Sequence, residues 1–201
     1  MANQGGMTLA VWPWLPAMVV AYLIGSFPSG VLLGKLLGGP DVRYHGSGNV
    51  GGTNTMRLMG PGAGALVVFV DGLKGLLAWG VTYIIMGGSP WALPLGGAMA
   101  VLGHCWPLYT RFWGGMGLAT AGGLLLINSF LTIVLFGMIW LAVFVGFFGK
   151  SHSPRAVIVA FSGSVVLSVL LIPLTVYMQT LLVALAVIVV VRHSPEWNRV
   201  Q

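Results

Sequence analysis

Acidic residues are almost missing from this sequence, which has only three Asp or Glu among 201 residues. Charged residues of either sign make up 6% of the chain, whereas they make up about 25% of an ordinary soluble domain. So few charged side chains cannot cover a water-facing surface of this size. The scarcity excludes a soluble globular protein and, at this length, predicts a single integral membrane domain over residues 1–201.

The shortage of acids also excludes several kinds of catalysis. Two-carboxylate acid–base chemistry and a Ser-His-Asp triad both need carboxylates, and this chain has only Asp41, Asp71 and Glu196. No cluster of His, Cys and Asp has the spacing of metal ligands, so no metal or other cofactor is expected. The single cysteine, Cys105, excludes an internal disulfide. Nucleic acid is not an expected partner despite a net charge of +6, because the basic residues are scattered along the chain.

Apolar runs are what the chain has in abundance, with 57% hydrophobic residues and a mean hydropathy of +0.96. A membrane helix needs about 20 mostly apolar residues. The sequence predicts an all-α integral membrane protein of about seven transmembrane helices, of which the third and fourth could be half-helices or re-entrant. The seven runs cover residues 16–37, 61–86, 91–106, 116–128, 129–149, 155–172 and 174–191. Because residues 1–8 lack Lys and Arg, the first run is expected to be a retained span rather than a cleaved signal.

The basic residues predict which side of the membrane each loop faces. Lys and Arg lie at the first, third and fifth connections and after the last run. Lys150 lies in the fifth connection, and Arg199 follows the last run. The second, fourth and sixth connections have neither residue. Short loops rich in Lys and Arg remain in the cytoplasm. The pattern therefore places the N-terminus outside and the C-terminus in the cytosol.

One glycine-rich segment, GSGNVGGTNTMR at residues 46–57, lies between these apolar runs. Its four glycines permit positive φ angles and close backbone approach, and successive N–H groups can form an anion-binding nest. Neutral donors come from Ser47, Asn49, Thr53 and Asn54. Arg57 adds a planar guanidinium suited to two phosphate oxygens. We interpret the segment as a phosphate cradle; a solvated turn of turn-forming residues is the alternative.

Residues 103–117 and 192–199 are two further polar segments on the same predicted side, which suggests one shared site. The tryptophans of the first, Trp106 and Trp113, are expected to be interface anchors. Asp71 and Lys74 lie three residues apart inside the second run. Intramembrane charges are rare and usually face a cavity or a partner, so this pair either joins the site or forms only a helix-internal ion pair.

Together these segments resemble the bacterial acyl-phosphate:glycerol-3-phosphate acyltransferase family. The first family motif, GSGN-x-GATN-x-x-R, is matched by residues 46–49, then 51–54, then Arg57. Further likeness lies in GSFPSG at 25–30, DGLKG at 71–75, the GH…GG.G.AT pattern across 103–120, and the closing pair Arg192-His193.

The resemblance implies transfer of a fatty acyl group from acyl phosphate to the 1-hydroxyl of glycerol 3-phosphate, giving lysophosphatidate and phosphate in phospholipid synthesis. It also implies a multi-pass protein of the bacterial inner membrane, in contact with membrane lipid, whose active site faces the cytosol; we expect a monomer. Catalytic roles then fall to Ser47, Arg57 and His193. Substrate-binding roles fall to Gly46, Gly48, Asn49, Thr53, Asn54, Lys74, His104, Arg111, Gly114, Gly115, Gly117 and Thr120.

Two positions depart from the family's pattern. Met116 stands where the family's GGKG motif has a phosphate-binding lysine, and Glu196 stands where it has an asparagine, with Asn198 two residues further on. The missing cation is either not replaced or supplied by Arg111, Lys74 or another basic residue, and we favour Arg111 because it lies five residues away in the same segment. Besides an intact transferase, a weakened or inactive relative that binds lipid phosphates is therefore a second prediction. A transporter of a phosphorylated solute is a third, although the polar segments lie on only one predicted side.

Overall fold

The computed structural model describes residues 13–148 and 153–197, and every regular element among them is helical. The expectations for residues 1–8, Lys150, Asn198 and Arg199 lie outside these residues. The helices are α1 (Trp14–Gly25), α2 (Ser29–Leu36), α3 (Gly52–Met59), α4 (Pro61–Ile85), α5 (Ala92–Cys105), α6 (Leu118–Asn128), α7 (Phe130–Val143), α8 (Ser153–Leu171) and α9 (Val176–His193). A π-helical turn, Phe144–Phe148, continues α7, and short 3₁₀ turns cover Leu108–Thr110 and Ser194–Glu196.

All of these helices except α3 lie where the apolar runs predicted them, within two residues at each end when α1 and α2 are taken together and the π turn is counted with α7. α3 lies between the first two runs and was not predicted. Among the described residues, four segments are long and apolar enough to cross a membrane: Trp14–Leu36, Pro61–Ile85, Pro154–Leu171 and Val176–Glu196. α6 has 11 residues, which at about 1.5 Å per residue span roughly half of a bilayer's hydrocarbon core. The structure bears out the all-α membrane fold; the count of seven crossings and their orientation stay predictions.

The first apolar run is interrupted, although it was predicted as one span. α1 ends at Gly25 and α2 begins at Ser29, because Pro28 has no N–H to donate and disfavours helical geometry at Phe27. The break leaves the Phe27 carbonyl without a helical donor, and it accepts a hydrogen bond of 3.1 Å from Lys74 Nζ. The interruption therefore provides a polar partner for a charged side chain of α4.

α5 lies at the centre of the fold, packed against α1, α4 and α9. Small residues permit this close packing: a Cβ on Gly25 would lie 2.1 Å from the Ala100 carbonyl oxygen, and one on Gly103 would lie 2.2 Å from that of Tyr22. Larger side chains fill the remaining core, notably Leu124 of α6 and Leu181, Leu182 and Leu185 of α9. Because α5 is central, His104 in its last turn and the loop that follows α5 lie in the middle of the molecule.

α3 packs against the start of α4 through glycine. A Cβ on Gly52 would lie 2.7 Å from the Gly64 carbonyl oxygen and 2.4 Å from Val68 Cγ2, so this approach requires glycine. Gly60, with φ of +87°, reverses the chain, and Pro61 begins α4. This contact fixes the direction of α3 and therefore the position of its N-terminus.

Candidate active site

Asn54 holds the glycine-rich loop together from a buried position. Its Oδ1 accepts a 2.9 Å hydrogen bond from the backbone N–H of Ser47. Its Nδ2 carries two hydrogens and lies within hydrogen-bond distance of three carbonyls, those of Val42 at 2.9 Å and of His45 and Asn49 at 3.0 Å. The amide of Asn54 is thus engaged with the loop, and its predicted contact with substrate stays a prediction.

The glycines on either side of Ser47 have the left-handed backbone that was expected of them. Gly46 has φ of +63° and Gly48 has φ of +75°. A Cβ on Gly46 would lie 2.2 Å from Asn54 Oδ1, so glycine is required there by contact as well as by conformation. The loop therefore presents Ser47 between two residues that can only be glycine without strain.

Asp41 precedes the glycine-rich segment in the sequence and forms an ion pair with Arg43. Arg43 donates to its carboxylate from the backbone N–H, Nε and Nη2, the last at 2.6 Å. The hydrogen bonds from the Arg43 side chain lower the pKa of the Asp41 carboxyl below its ordinary value. A partly exposed pair contributes little stability, but it locally neutralises the loop's carboxylate.

The N-terminus of α3 and Arg57 together offer donors to an anion. Within the described residues, the N–H groups of Gly52, Thr53 and Asn54 make no backbone hydrogen bond, since the first helical bond runs from Thr55 to the Gly51 carbonyl. Such N–H groups carry a partial positive charge at a helix start and favour phosphate. One turn further, the exposed Arg57 side chain makes no hydrogen bond or ion pair with the described part of the chain.

An inner cavity of about 430 Å³ opens beside these donors. Its lining combines polar residues with aliphatic ones, and the aliphatic residues are Val68, Leu118, Ala119 and Val157. Eight of the residues predicted from the sequence line it: Ser47, Asn49, Thr53, Asn54, Arg57, His104, Gly117 and His193. Met116, Asp71 and Glu196 line it as well.

A neighbouring outer cavity of about 490 Å³ shares three lining residues with the inner one, Ser47, Asn49 and Glu196. Its other lining residues are Gly48, Arg111, Phe112, Trp113 and Arg192. Arg111 thus lines the outer cavity and Met116 the inner one. Arg111 was one of the basic residues considered as a replacement for the family's lysine at position 116, and it lines a different cavity from Met116.

Five predicted site residues line neither cavity: Gly46, Lys74, Gly114, Gly115 and Thr120. Gly46 shapes the loop, as described above. Thr120 is fully buried on α6, and its Oγ1 makes no hydrogen bond within the described residues. Their predicted contacts with substrate stay predictions.

A buried polar cluster lies behind the inner cavity. Lys74 Nζ is 2.8 Å from Asp71 Oδ1, and Ser29 Oγ donates to the same oxygen at 2.5 Å. His104 Nδ1 lies 3.5 Å from it. Lys74 also donates to the Phe27 carbonyl. Asp71 and Lys74 thus form the helix-internal ion pair, and of the two only Asp71 also lines the inner cavity. Paired and hydrogen-bonded charges of this kind are tolerated in a low-dielectric interior.

Arg192 positions the loop that carries the GGMG motif. Its Nε donates to the Gly115 carbonyl at 2.8 Å and its Nη2 to the Gly114 carbonyl at 3.0 Å, while its guanidinium lies 5.9 Å from the centre of the Trp106 ring. A Cβ on Gly115 would lie 2.2 Å from His104 Nε2. The sequence pointed to Arg192 through the closing Arg-His pair but assigned it no role.

His193 lines the inner cavity from the end of α9 and is 3% exposed. Its Nδ1 lies 2.9 Å from the Val189 carbonyl oxygen. Because a carbonyl can only accept, Nδ1 carries the proton in this contact. The remaining polar atom of the neutral ring is then Nε2, an acceptor.

A strained turn precedes the GGMG motif. Arg111 and Phe112 have φ of 55° and 64°, and left-handed non-glycine residues cost about 1–3 kcal/mol each. The turn is held by a 2.8 Å hydrogen bond from the Phe112 N–H to the Pro107 carbonyl, and by one of 2.9 Å from Thr110 Oγ1 to the Trp113 carbonyl. Strain that the surroundings hold in place is typical of functional sites.

Trp113 fastens this turn to the glycine-rich loop. Its Nε1 donates to the Gly48 carbonyl at 3.0 Å, and its ring meets Tyr44 edge-on with 5.6 Å between ring centres. Trp113 was expected to be an interface anchor; in the structure it joins two loops of the site. The bond could not be inferred from spacing, because its partners lie 65 residues apart.

Comparison with known proteins places the chain in a family. Residues 15–201 match the family described as Glycerol-3-phosphate acyltransferase. The chain belongs to this family. It is similar to Glycerol-3-phosphate acyltransferase 2 of Moorella thermoacetica, 47% identical over 133 residues, which are 65% of this chain and 66% of the relative. It is also similar to the Glycerol-3-phosphate acyltransferase of Bacillus subtilis, 46% identical over 121 residues, which are 58% and 61% of the two chains. These matches span just under two thirds of the relatives' length.

Solved structures of the glycerol-3-phosphate acyltransferase family match over more of the chain. The crystal structure of PlsY (YgiH), an integral membrane glycerol 3-phosphate acyltransferase, in its glycerol 3-phosphate form has a TM-score of 0.76 and 32% identity. The match covers 92% of this chain and 90% of that one. The lysophosphatidic acid form of PlsY has a TM-score of 0.75 and 31% identity, covering 92% and 89%. The predicted family and the helical membrane fold are confirmed.

Proposed function

We propose that this protein transfers a fatty acyl group from acyl phosphate to the 1-hydroxyl of glycerol 3-phosphate, releasing lysophosphatidate and inorganic phosphate in phospholipid synthesis. The observation that carries the proposal is the mixed lining of the inner cavity. Arg57 and the start of α3 line it together with aliphatic residues. An acyl phosphate likewise combines a phosphate with an apolar chain. The names of the relatives, and the glycerol 3-phosphate and lysophosphatidic acid forms of PlsY, support the acceptor and the product.

In this proposal the phosphate of acyl phosphate binds to Arg57 and to the N–H groups at the start of α3. The acceptor's hydroxyl oxygen attacks the acyl carbon, and the bond from that carbon to the phosphate oxygen breaks. The hydroxyl proton passes to the departing phosphate, which serves as the base. Since acyl phosphate is already activated, no protein nucleophile is needed, and Ser47 and His193 act by positioning and electrostatic stabilisation.

We further propose that the protein lies in the bacterial inner membrane with both cavities at the cytosolic face. The basic residues at this end, such as Lys35, Arg57, Arg111 and Arg192, support that orientation. We also propose that the protein is a monomer surrounded by membrane lipid. A transferase with its cavities at this surface can bind a soluble acceptor from the cytosol and an acyl donor from the bilayer.

A weakened relative that binds lipid phosphates is the second candidate, because apolar Met116 lines the inner cavity. Met116→Lys separates the two. If the site lacks a cation beside the phosphates, this variant should raise the initial rate of lysophosphatidate formation roughly tenfold. Met116→Leu is the matched control and should leave the rate unchanged. A rate that falls or stays level in Met116→Lys would show that no cation is missing there.

Gly46→Ala tests whether the loop geometry is needed for transfer. The new Cβ would meet Asn54 Oδ1, so the loop must move, and we expect a drop in initial rate of roughly tenfold or more. Gly38→Ala is the control, because Gly38 also has a positive φ, +66°, but no atom within 4 Å of the new Cβ. It should cost about 1–2 kcal/mol of stability and leave the rate near that of the parent. Equal rates for both variants would contradict the role assigned to the loop.

A further inference from the structure

We infer that Asp71 and His104 act together on the proton that moves during the reaction. His104 Nε2 accepts a hydrogen bond from the leaving phosphate as that phosphate takes up the proton of the acceptor's hydroxyl. This inference rests on the proposed function and adds to it a group that responds to the proton in transit. It makes His104 a catalytic residue and Asp71 the positioning residue behind it.

The carboxylate of Asp71 is held in place by two donors. Asp71 is fully buried, and its Oδ1 lies 2.8 Å from Lys74 Nζ and accepts from Ser29 Oγ at 2.5 Å. Lys74 is itself held by the Phe27 carbonyl at the break between α1 and α2. The other carboxylate oxygen, Oδ2, is buried and makes no hydrogen bond within the described residues. Since a buried acceptor without a partner costs free energy, this carboxylate is suited to a further donor.

His104 is the donor that the structure places beside this carboxylate. Its Nδ1 lies 3.5 Å from Asp71 Oδ1 and is buried without a hydrogen-bond partner in the described part of the chain. A contact of this length is weak, but catalytic hydrogen bonds often tighten only when substrate is bound. Because a carboxylate can only accept, the proton of the neutral ring belongs on Nδ1. Nε2 is then an acceptor.

This acceptor is accessible from the inner cavity, which His104 lines. Nε2 makes no hydrogen bond within the described residues and, unlike Nδ1, is not fully enclosed. A Cβ on Gly115 would lie 2.2 Å from Nε2, so glycine at that position leaves the nitrogen uncovered. His193 lines the same cavity, but its Nδ1 contacts a backbone carbonyl. The carboxylate behind His104 adds what a carbonyl lacks, a full negative charge that stabilises a ring as it draws a proton toward Nε2.

An acceptor at this position distinguishes the end of the reaction from its start. Near neutral pH the phosphate of acyl phosphate offers oxygen acceptors only, so the lone pair of Nε2 gains nothing from it. During transfer the hydroxyl oxygen bonds to the acyl carbon, and the bond from that carbon to the phosphate oxygen breaks with its electron pair going to phosphate. The hydroxyl proton moves to a phosphate oxygen, and the new P–O–H group donates to Nε2. An interaction that forms only as the proton moves lowers the barrier without tightening substrate binding.

His104→Leu tests the effect on turnover, because it removes the acceptor and keeps a side chain of similar volume. In neutral detergent we expect kcat for lysophosphatidate formation to fall roughly 10- to 100-fold, the size of one hydrogen bond to a charged group. The KM of each substrate should stay within about threefold. His104→Gln, which restores an acceptor oxygen, should recover part of kcat. Cys105→Ala is the matched control, since Cys105 is the next residue of α5, is fully buried and lines neither cavity. It should keep the kcat of the parent.

Binding of two phosphates separates this role from a structural one. At mildly alkaline pH, inorganic phosphate still carries a proton, whereas a non-hydrolysable acyl phosphonate carries none. His104→Leu should weaken the binding of inorganic phosphate roughly tenfold and leave that of the phosphonate within about twofold. Direct binding of radiolabelled phosphonate, and its displacement by inorganic phosphate, measure both affinities. Asp71→Leu/Lys74→Met removes the carboxylate without leaving a lone charge and should change the ratio of the two affinities in the same direction.

Three results would overturn the inference. They are an unchanged kcat in folded His104→Leu, an equal loss of affinity for both ligands, and an unchanged affinity for both. If His104→Leu does not fold, Gly115→Ala provides the test, because its Cβ would cover Nε2 and should cause the same selective loss of phosphate affinity. An inactive parent would refute the proposed function, whereas the ratio of the two affinities tests the contact of His104 with protonated phosphate without turnover.

Discussion

Arg57→Ala is expected to reduce the rate of lysophosphatidate formation by roughly 100- to 1,000-fold while the protein remains folded in detergent. In the proposed function the Arg57 guanidinium neutralises the phosphate leaving group in the inner cavity, and this variant would lose it. The fold should survive because the Arg57 side chain is exposed and makes no hydrogen bond or ion pair with the described residues. Initial rates at saturating substrate, together with thermal unfolding of the same preparation, measure both effects.

Arg57→Lys separates the effect of the charge from that of the guanidinium geometry, because a lysine keeps the charge but offers no planar pair of donors. We expect it to lose most of the activity as well. Lys35→Ala removes a cation that lines neither cavity and should remain near the parent rate. Turnover close to that of the parent in Arg57→Ala would refute the assignment of Arg57 to the phosphate.

Lys74→Met is expected to lower the free energy of unfolding by about 3–5 kcal/mol, because it removes one partner of a buried ion pair. Asp71 would keep its charge with only Ser29 and His104 beside it, and the Phe27 carbonyl would keep only the N–H of Ser29 as a donor. Methionine keeps most of the volume of the lysine side chain, so the effect reports charge more than packing. Chemical unfolding in mild detergent, followed by far-UV circular dichroism, measures it.

The double variant Asp71→Leu/Lys74→Met is the control for this prediction. Removing both charges leaves no uncompensated ion, so it should be more stable than Lys74→Met alone. If Lys74→Met unfolds like the parent, the pair is not a structural element. In that case the sequence-based prediction that Lys74 contacts substrate would gain support.

The helices and the glycine-rich loop could be predicted from the sequence because both depend on local features. Apolar runs locate helices that must satisfy their own backbone in a membrane. Gly46, Gly48 and Arg57 belong to one short segment whose residue types already suggest a bound anion. The structure adds Asn54 as the residue that holds that segment in place.

Features that depend on long-range contacts could not be predicted in the same way. Arg192 reaches carbonyls about 77 residues away, and no spacing rule connects a guanidinium to such partners. Val157 lines the cavity from α8, where it is one apolar residue among many. Arg111 and Met116 are five residues apart in the sequence, so Arg111 was one candidate for the cation missing at Met116. The left-handed turn at Arg111 directs the chain so that they line different cavities.

The most direct test of the proposed function is the initial rate at which purified protein releases inorganic phosphate from acyl phosphate, measured with and without glycerol 3-phosphate. We predict that release requires glycerol 3-phosphate, matches lysophosphatidate mole for mole, and is nearly lost in Arg57→Ala. No release by a folded parent that still binds glycerol 3-phosphate would contradict the transferase and leave a lipid-phosphate binder. Release that is independent of glycerol 3-phosphate would contradict transfer to that acceptor.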